Sequence, residues 1–352
     1  MSDTVGEIPH VKLGDSGLSV SRVIAGCMSY GDKKWSQWVL EDEEKIMKIL
    51  KKCYDVGIRT YDTADIYSNG KSEILLGKFL KKYNIKRDRV VILTKLFNPV
   101  DDTNYGFRLQ TSGLPEYEYL NSKGLSRKHV FDAVKDSVRR LGTYIDVLQI
   151  HRLDRTTPMH EIMKALNDVI LSGQVRYIGA SSMKAVEFAQ LQFIADKNGW
   201  FKFISMQNYY NLLYREEERE MNYFCQENIL GKVGLIPWSP IAMGVLARPL
   251  NTESQNNRTA KTESGITHLR LGNLSGGDAE IVKRVEELAK KHGVSMAIIS
   301  TAWVISKGTC PIVGLNSEER VEEIVKATLF KLTPEEIKYL EEPYDAKGFT
   351  IF

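Results

Sequence analysis

The chain has 352 residues, a formal net charge of +3 and a hydrophobic content of 43%. That apolar content is ample for a large core in a globular protein. The charge is spread along the chain rather than clustered, which disfavours a nucleic-acid partner. No segment approaches the roughly 18 uninterrupted apolar residues of a membrane helix, and the N-terminus carries no secretory pattern. We therefore expect a cytoplasmic protein with no membrane partner.

The cysteines give no sign of a metal site or of disulfide bonds. Cys27, Cys53, Cys225 and Cys310 are scattered, without close pairs or the spacing of metal ligands. Reduced, buried thiols in a cytosolic protein are the expected state. No metal is predicted.

In chain order, a predicted β-hairpin over His10–Ser21 precedes the main fold. After it, a strand-like run, a loop and an amphipathic helix alternate eight times. The strand-like runs are Arg22–Gly26, Ile58–Asp62, Val90–Lys95, Ile145–His151, Tyr177–Ser181, Phe203–Gln207, Gly234–Trp238 and Pro311–Gly314. The helical patterns are Glu41–Tyr54, Ser72–Tyr83, Arg127–Leu141, Pro158–Leu171, Met183–Asn198, Arg215–Glu227, Asp278–His292 with Met296–Lys307, and Ser317–Lys326.

Eight such units predict an α/β protein, a closed parallel (β/α)₈ TIM barrel, as a single domain over residues 1–352. Short buried strands separated by helices require right-handed crossovers, and eight of them fit a closed barrel. Alternation alone does not show closure, so a doubly wound open sheet remains the alternative.

Two connections and the tail depart from the rhythm. Phe97–Ser126 follows the third barrel strand and Ile241–Gly277 follows the seventh. Loops of that length are usually lids or binding loops, and both follow strand carboxyl ends. The tail, Leu332–Phe352, begins with a helix start at Thr333 and Pro334. We expect this tail to fold towards the barrel mouth.

The stretch from Gly57 to Gly77 carries the first chemical signal. Asp62 ends a predicted strand, and Tyr67 lies five positions further on, in the following loop. On this segment alone, a capping aspartate beside a loop-packing tyrosine explains the pattern equally well. However, Lys95 and His151 end the next two strands. Neighbouring strands lie about 4.8 Å apart, so these side chains are predicted to project from the same rim as Asp62.

The four side chains together indicate a particular chemistry. Lys95 would be costly among inward-facing Val and Leu unless Asp62 pairs with it. A cation beside Tyr67 favours the phenolate and is expected to lower the tyrosine pKa from roughly 10. His151 can donate a hydrogen bond to a carbonyl oxygen. With no nucleophile and base couple, metal cluster or paired acids, the set predicts protonation of a carbonyl oxygen while another reactant attacks the carbon.

These residues closely resemble the signature of the aldo-keto reductases. Asp62, Tyr67, Glu73 and Gly77 stand in register with the segment of that family, and Lys95 and the run Leu148-Gln149-Ile150-His151-Arg152 match it further on. The resemblance covers nearly the whole chain and is strongest to fungal aryl-alcohol-dehydrogenase-like and versiconal-reductase-like members. It implies that Tyr67 is the general acid, that Lys95 and Asp62 tune it, and that His151 orients the carbonyl. It also implies hydride transfer from a nicotinamide cofactor.

The same resemblance implies cofactor contacts in later segments. Ser181 and Ser182 lie in the stretch that holds the nicotinamide carboxamide, although many members have Asn in place of Ser182, and Gln207 is a further partner. Trp238 is the aromatic that stacks on the nicotinamide. The residues that follow it line the pyrophosphate path: Ser239, Pro240, Ile241 and Ala242. The adenosine-phosphate segment contributes Gly314, Asn316, Ser317, Arg320 and Glu323.

The preferred cofactor follows from the last of these segments. Arg320 suits a phosphate group, so we expect NADPH rather than NADH. Gly314 replaces a Lys found in one branch of the family, and Ile324 replaces a frequent Asn. At these two positions the segment departs from the family pattern for contact with the 2′-phosphate.

The substrate is expected to be a small carbonyl compound. Tyr30, Trp35, Trp38 and Phe97 are predicted to line an aromatic pocket. The physiological substrate, the stereochemistry, and the oligomeric state are left open by the sequence. So are two functional alternatives: an NADPH-binding regulatory subunit similar to the potassium-channel β subunits, and a Schiff-base aldolase using Lys95. A Rossmann reductase is disfavoured, since no Gly-x-Gly-x-x-Gly follows a strand.

Overall fold

The N-terminal hairpin lies where the sequence predicts it. The computed structural model describes residues 8–109, 112–250, 271 and 273–350. In it, β1 (His10–Lys12) pairs antiparallel with β2 (Ser19–Ser21). Asp15 accepts a hydrogen bond from the backbone N–H of Lys232 at 2.7 Å, which attaches the hairpin turn to the amino-terminal end of the barrel.

Eight parallel strands form the barrel. They are β3 (Ile24–Gly26), β4 (Thr60–Asp62), β5 (Val91–Leu96), β6 (Ile145–Ile150), β7 (Val175–Ser181), β8 (Phe203–Gln207), β9 (Gly234–Leu235) and β10 (Ile312–Gly314). Each strand pairs with the next in sequence, and β10 returns to pair with β3. On the other side of β10, Ile312 forms a parallel bridge with Trp238, and its backbone N–H donates to Pro237 O at 2.8 Å. The sheet therefore closes, and the (β/α)₈ barrel is confirmed over the open sheet.

The helices surround the barrel. Those described are α1 (Glu43–Asp55), α2 (Lys71–Lys82), α3 (Arg127–Leu141), α4 (Met159–Leu171), α5 (Ala185–Lys197), α6 (Met221–Glu227), α7 (Gly276–His292), α8 (Met296–Ser306), α9 (Glu318–Leu329) and α10 (Pro334–Glu341). Their apolar faces pack against the outside of the strands, because the 3.6-residue period places those side chains on one stripe. In the described residues, no helix is long and apolar enough to cross a lipid bilayer.

One predicted helix is wrong in its first half. The sequence predicts a helix over Arg215–Glu227, but Glu216–Glu218 form a 3₁₀ turn and the α-helix begins only at Met221. Tertiary hydrogen bonds explain the difference. Glu216 accepts from the hydroxyl of Tyr344 at 2.8 Å and from the N–H of Lys347 at 2.7 Å, so its carboxylate is turned inward to hold the C-terminal tail.

The register of the strands places polar side chains at one end of the barrel. Lys95 lies opposite Gln149 on the neighbouring strand, and Gln149 lies opposite Gly179. A Cβ atom on Gly179 would come within 2.3 Å of Ser205 Oγ and 3.1 Å of Gln149 Cγ. Glycine at that position therefore gives the Gln149 side chain room inside the barrel.

The long connections and the tail lie on the strand carboxyl side. Loop 97–126 contains 3₁₀ turns at Glu116–Glu118 and Leu120–Ser122, and Asn69 Nδ2 donates to its Phe107 O at 2.8 Å. Of the connection 241–277, residues 251–270 and 272 lie outside the described part of the chain. The predicted helix start at Thr333 is confirmed, since Thr333 caps α10. Beyond it, the N–H of Thr350 donates to the hydroxyl of Tyr214 at 3.0 Å, in the segment that follows β8.

Candidate active site

Lys95 contacts two of the other three predicted catalytic residues, Asp62 and Tyr67. Its side chain is fully buried at the end of β5. The ammonium Nζ donates to Asp62 Oδ2 at 2.6 Å, to the carbonyl oxygen of Thr63 at 2.8 Å and to the hydroxyl of Tyr67 at 3.3 Å. The predicted ion pair between Lys95 and Asp62 is therefore present, and all three N–H donors of the ammonium have an acceptor.

The second carboxylate oxygen of Asp62 is held by two amides. Gln149 Nε2 donates to Asp62 Oδ1 at 3.0 Å, and Gln207 Nε2 donates to the same oxygen at 2.9 Å. Gln207 Nε2 also lies 2.8 Å from Gln149 Oε1. Every partner of Asp62 is a donor, and together these hydrogen bonds fix the position of its carboxyl group.

The pKa values of Lys95 and Tyr67 follow from burial and from their contact. Burial lowers the pKa of Lys95, but the charge of Asp62 and the contact with Tyr67 outweigh it, so the net direction is upward. Burial also raises the pKa of Tyr67, and Lys95 offsets only part of that rise. The expectation of a lowered tyrosine pKa is thus wrong in its net direction for this structure. The lysine stays charged and the phenol keeps its proton.

His151 lies beside Tyr67 at the end of β6. The two rings are 5.9 Å apart between centroids and nearly perpendicular, at 84°. Burial, with the charges of Arg152 and Lys95, holds the pKa of His151 well below its usual range. The imidazole is therefore neutral, and its buried Nδ1 has no hydrogen-bond partner in the described residues.

Aromatic side chains form a wall next to Tyr67. The Trp35 ring meets Tyr67 edge-on at 6.2 Å, and Trp38 meets Trp35 at 5.8 Å. From loop 97–126, Arg108 lies over the Trp35 ring at 4.9 Å and donates to the Trp35 carbonyl oxygen. Trp35 and Trp38 are half-buried, so both rings retain exposed surface.

Of the predicted pocket residues, Tyr30 lies in the core and Phe97 packs against it. Tyr30 is 1% exposed, and its hydroxyl donates to the carbonyl oxygen of Leu315. Its ring belongs to the core between the strands and helices, so the prediction that Tyr30 lines the pocket is wrong. Phe97 is half-buried and packs against the same core.

The predicted carboxamide segment meets the catalytic network. Ser181 lies opposite Gln207 in the sheet register, and its hydroxyl donates to Gln207 O at 2.8 Å. Ser182 is next to it, with the two hydroxyl oxygens 3.3 Å apart. Both serines are buried. Since Gln207 Nε2 donates its two hydrogens to Asp62 and Gln149, only its oxygen could meet a bound carboxamide.

Left-handed backbone at non-glycine residues is concentrated around this rim. Such values of φ are uncommon for residues with a side chain, and they cluster at functional sites. Asn84 is the only described case away from the rim. The others are Ser68, Asn69, Ser182, Ser239, Ala242 and Met243, with φ between 47° and 58°. Four of these six lie in or directly beside the segments predicted to hold the cofactor.

Trp238 already has an aromatic neighbour on one side. The Tyr209 ring stacks on it with 4.7 Å between centroids and an angle of 33°. Asn211 Nδ2 donates to Ser239 O at 3.1 Å, and Ala242 begins the 3₁₀ turn Ala242–Ala247. Just before that turn, Pro240 is buried and Ile241 is half-buried.

The predicted adenosine-phosphate segment lies at the start of α9. Ser317 caps this helix by accepting the N–H of Arg320, and Gly314 and Asn316 are exposed just before it. Burial and then the nearby charge of Arg320 lower the pKa of Arg248, so two guanidinium groups approach one another here. Glu323 is engaged within the protein, since its carboxylate accepts the Ser295 hydroxyl.

Comparison with known proteins identifies the family. The sequence model described as the Aldo/keto reductase family matches residues 22–345. The chain belongs to the aldo/keto reductase family. Members use nicotinamide cofactors, and this member is an oxidoreductase that acts on carbonyl or alcohol groups.

Fungal proteins are among its relatives in the aldo/keto reductase family. It is 57% identical over 341 residues to versiconal hemiacetal acetate reductase of Aspergillus parasiticus, covering 96% of this chain and 98% of that one. It is 56% identical over 340 residues to the "Putative aryl-alcohol dehydrogenase AAD16" of Saccharomyces cerevisiae, covering 96% and 97%. An aldo-keto reductase of Alternaria alternata, AMT2, is 46% identical over 344 residues, covering 96% and 91%.

Three residues of this aldo/keto reductase site received no role from the sequence. Gln149 was visible as an inward-facing residue between Val147 and His151, but its contact with Asp62 was not predicted. Arg248 is the first cationic residue after Trp238, which is the signal that could have found it. Nothing in the sequence indicated that Tyr209 stacks on Trp238.

Proposed function

We propose that this protein reduces aldehydes or ketones to alcohols with NADPH, and that Tyr67 is the general acid. The observation that carries the proposal is the contact between Lys95 and Tyr67. The phenolic oxygen accepts a hydrogen bond from the ammonium at 3.3 Å, which leaves the phenolic hydrogen to point towards a substrate. The neutral phenol is thus set to donate while a fixed positive charge lies behind it.

The charge behind Tyr67 acts when the proton leaves. As a carbonyl carbon gains hydride, its oxygen becomes an alkoxide and accepts the proton of Tyr67. The phenolate that remains is stabilised by the Lys95 ammonium, which is already in place and needs no reorganisation. Asp62, held by Gln149 and Gln207, keeps that ammonium at its position. The proton can then return to the phenolate from water, which completes the cycle.

His151 positions the carbonyl. A neutral imidazole has one N–H to donate, and the lowered pKa of His151 keeps it in that form. A carbonyl oxygen between His151 and Tyr67 would accept a hydrogen bond from each. This geometry orients the carbonyl carbon towards the nicotinamide side of the pocket. An imidazolium in the same place would compete with Tyr67 as the proton donor.

The residues present fit the cofactor NADPH, nicotinamide adenine dinucleotide phosphate. When bound, the cofactor supplies the hydride. Ser181, Ser182 and Gln207 present polar atoms to a carboxamide, and Trp238 presents an aromatic face. Arg320, Arg248 and the N-terminus of α9 would meet phosphate oxygens, for which guanidinium forks and exposed helix N–H groups are suited. Two arginines at this end favour the 2′-phosphate of NADPH.

The aromatic wall supports an aromatic carbonyl substrate. Trp35 lies edge-on to Tyr67, so a flat ring attached to the carbonyl would lie against exposed indole surface. The relatives named for aryl alcohols and for versiconal hemiacetal acetate fit the same inference. We therefore place aryl aldehydes and polycyclic aromatic carbonyls first among the substrate classes.

The two alternatives differ in what they require of Lys95 and of turnover. A Schiff-base lysine must lose its proton, but Lys95 is held protonated by Asp62 and donates all three N–H groups. Borohydride with substrate should leave Lys95 unmodified. A regulatory subunit would bind NADPH without steady turnover, and nothing in the geometry favours that role over catalysis.

A substrate panel tests the proposal. Aromatic, aliphatic and sugar aldehydes are offered with NADPH or with NADH, and loss of the reduced cofactor is followed by absorbance. We expect steady turnover, fastest with aromatic aldehydes and with NADPH. Tight NADPH binding without turnover on any of these classes would overturn the enzymatic proposal, and a preference for NADH would overturn the choice of cofactor.

A further inference from the structure

A polar cavity lies behind the active site, between Asp65, helix α3 and loop 97–126. Its volume is about 370 Å³, and none of the four catalytic residues lines it. Asp65 lies two residues before Tyr67, and its backbone N–H donates to Lys95 O at 3.0 Å. The cavity is therefore distinct from the carbonyl pocket but touches the same loop.

Two buried side chains of this cavity lack hydrogen-bond partners. Asp65 is 1% exposed, and neither of its carboxyl oxygens has a hydrogen bond in the described residues. Burial and then the charge of Glu73 raise the pKa of Asp65 well above its usual range, so without a cation beside it the group favours the neutral acid. His129 is 5% exposed, and its Nε2 is likewise unpartnered. Buried polar groups in folded proteins nearly always have a hydrogen-bond partner. Two such groups without one at the same cavity therefore indicate a ligand.

The charge of the lining indicates the sign of that ligand. Five carboxyl groups line the cavity: Asp65, Asp102, Glu118, Asp132 and Asp136. Three of them are already in ion pairs: Asp132 with Lys128 at 2.6 Å, Asp136 with Arg139 at 3.3 Å, and Asp102 with both Arg139 and Arg140. Arg140 also pairs at 2.6 Å with Glu73, which does not line the cavity. In the described residues, Asp65 and Glu118 have no ion-pair partner.

The form of the cavity favours an organic cation over a metal ion. In the described part of the chain, no group of three His, Cys, Asp or Glu is arranged to hold a metal ion. The volume is at the small end of ligand pockets, which run from about 300 to 1,000 Å³. At the rim, the ring of Tyr117 provides a face that attracts alkylammonium groups.

We propose that this cavity binds a small alkyl diamine, with one ammonium on the Asp65 carboxyl group and the other towards Glu118 at the rim. As the first ammonium binds, Asp65 ionises and its proton goes to solvent. That ammonium donates to Asp65 and to the neutral Nε2 of His129. The site satisfies both buried groups and pairs the two carboxyl groups of the lining that lack an ion pair.

Calorimetric titration of the whole protein with 1,4-diaminobutane tests this site. We expect saturable binding with one molecule per chain, and none with butane-1,4-diol, which has the same length but no charge. Asp65→Asn keeps the shape of the side chain and should weaken binding at least about tenfold, because an amide cannot ionise to pair with the ammonium. Asp88→Asn, at an exposed turn outside the cavity, is the matched control and should bind as the wild type does.

A second variant guards against misfolding of the first. Ala133 lines the cavity from α3, so Ala133→Leu should fill it and abolish binding while Asp65 stays in place. Circular dichroism and cofactor binding report whether each variant is folded. Three results would each overturn the proposal: no saturable binding to the wild type, equal affinity for the diol, or unchanged affinity in folded Asp65→Asn.

Discussion

Replacing Tyr67 with phenylalanine separates catalysis from stability. The hydroxyl makes one long contact of 3.3 Å with Lys95, which keeps its bonds to Asp62 and Thr63 O when the hydroxyl is removed. Loss of one such hydrogen bond costs about 1 kcal/mol of unfolding free energy. Loss of a positioned general acid lowers turnover about 10²–10⁴-fold. At about 1.36 kcal/mol per tenfold, that is roughly 2.7–5.4 kcal/mol of activation free energy.

The assay measures both quantities on one preparation. Steady-state loss of NADPH absorbance with an aromatic aldehyde gives turnover, quenching of tryptophan fluorescence gives the affinity for NADPH, and thermal unfolding gives stability. We expect turnover to fall at least about 100-fold while the cofactor affinity changes less than about twofold. Turnover above about one-tenth of the wild-type value, in a protein that binds NADPH normally, would refute Tyr67 as the acid.

Three further substitutions test other parts of the structure. Asp62→Asn places an amide opposite the Lys95 ammonium and two glutamine donors, and should cost about 3–5 kcal/mol of stability in urea unfolding; a cost below about 1 kcal/mol would mean that the pair contributes little. Burial raises the pKa of Glu217 to about 8, from 4.5, so the folded state holds a proton that the unfolded state releases. Wild-type stability relative to Glu217→Gln should therefore fall as pH rises from about 5 to 8, by a few kcal/mol, and a difference independent of pH would contradict the assignment. Arg320→Ala should raise KM for NADPH more than KM for NADH; equal effects would mean that Arg320 does not contact the 2′-phosphate.

The barrel could be predicted from the sequence because its signals are local. Each strand-like run is short and apolar, and each helix repeats apolar residues at three and four positions, so type and order need no tertiary information. The helix start at Thr333 was equally local. The 3₁₀ turn in place of the first half of the helix predicted from Arg215 does not depend on local signals. Its Glu216 bonds to Tyr344 and Lys347, which lie more than a hundred residues away in the sequence.

The positions of the four proposed catalytic residues could also be predicted, but their surroundings could not. Strand ends meet at one rim in any such barrel, which was enough to bring Asp62, Lys95 and His151 together. The pattern does not show how tightly a neighbour packs. Tyr30 has the composition of a pocket residue, yet the Leu315 carbonyl draws its hydroxyl into the core. The paired amides of Gln149 and Gln207 likewise depend on the register of three strands.

Burial sets the working state of the site, and it acts on Tyr67 and His151 in opposite directions. It raises the pKa of Tyr67 and lowers that of His151, so both side chains are neutral and each can offer one hydrogen to a carbonyl oxygen. The sequence predicted that Lys95 would favour the phenolate and lower the pKa of Tyr67, but only the protonated phenol can donate to a carbonyl oxygen. In the buried site the lysine charge is too weak to ionise the ground state. Its effect is instead largest once the proton has left Tyr67. The charge therefore stabilises the transition state more than the bound substrate, and such an interaction lowers the activation barrier.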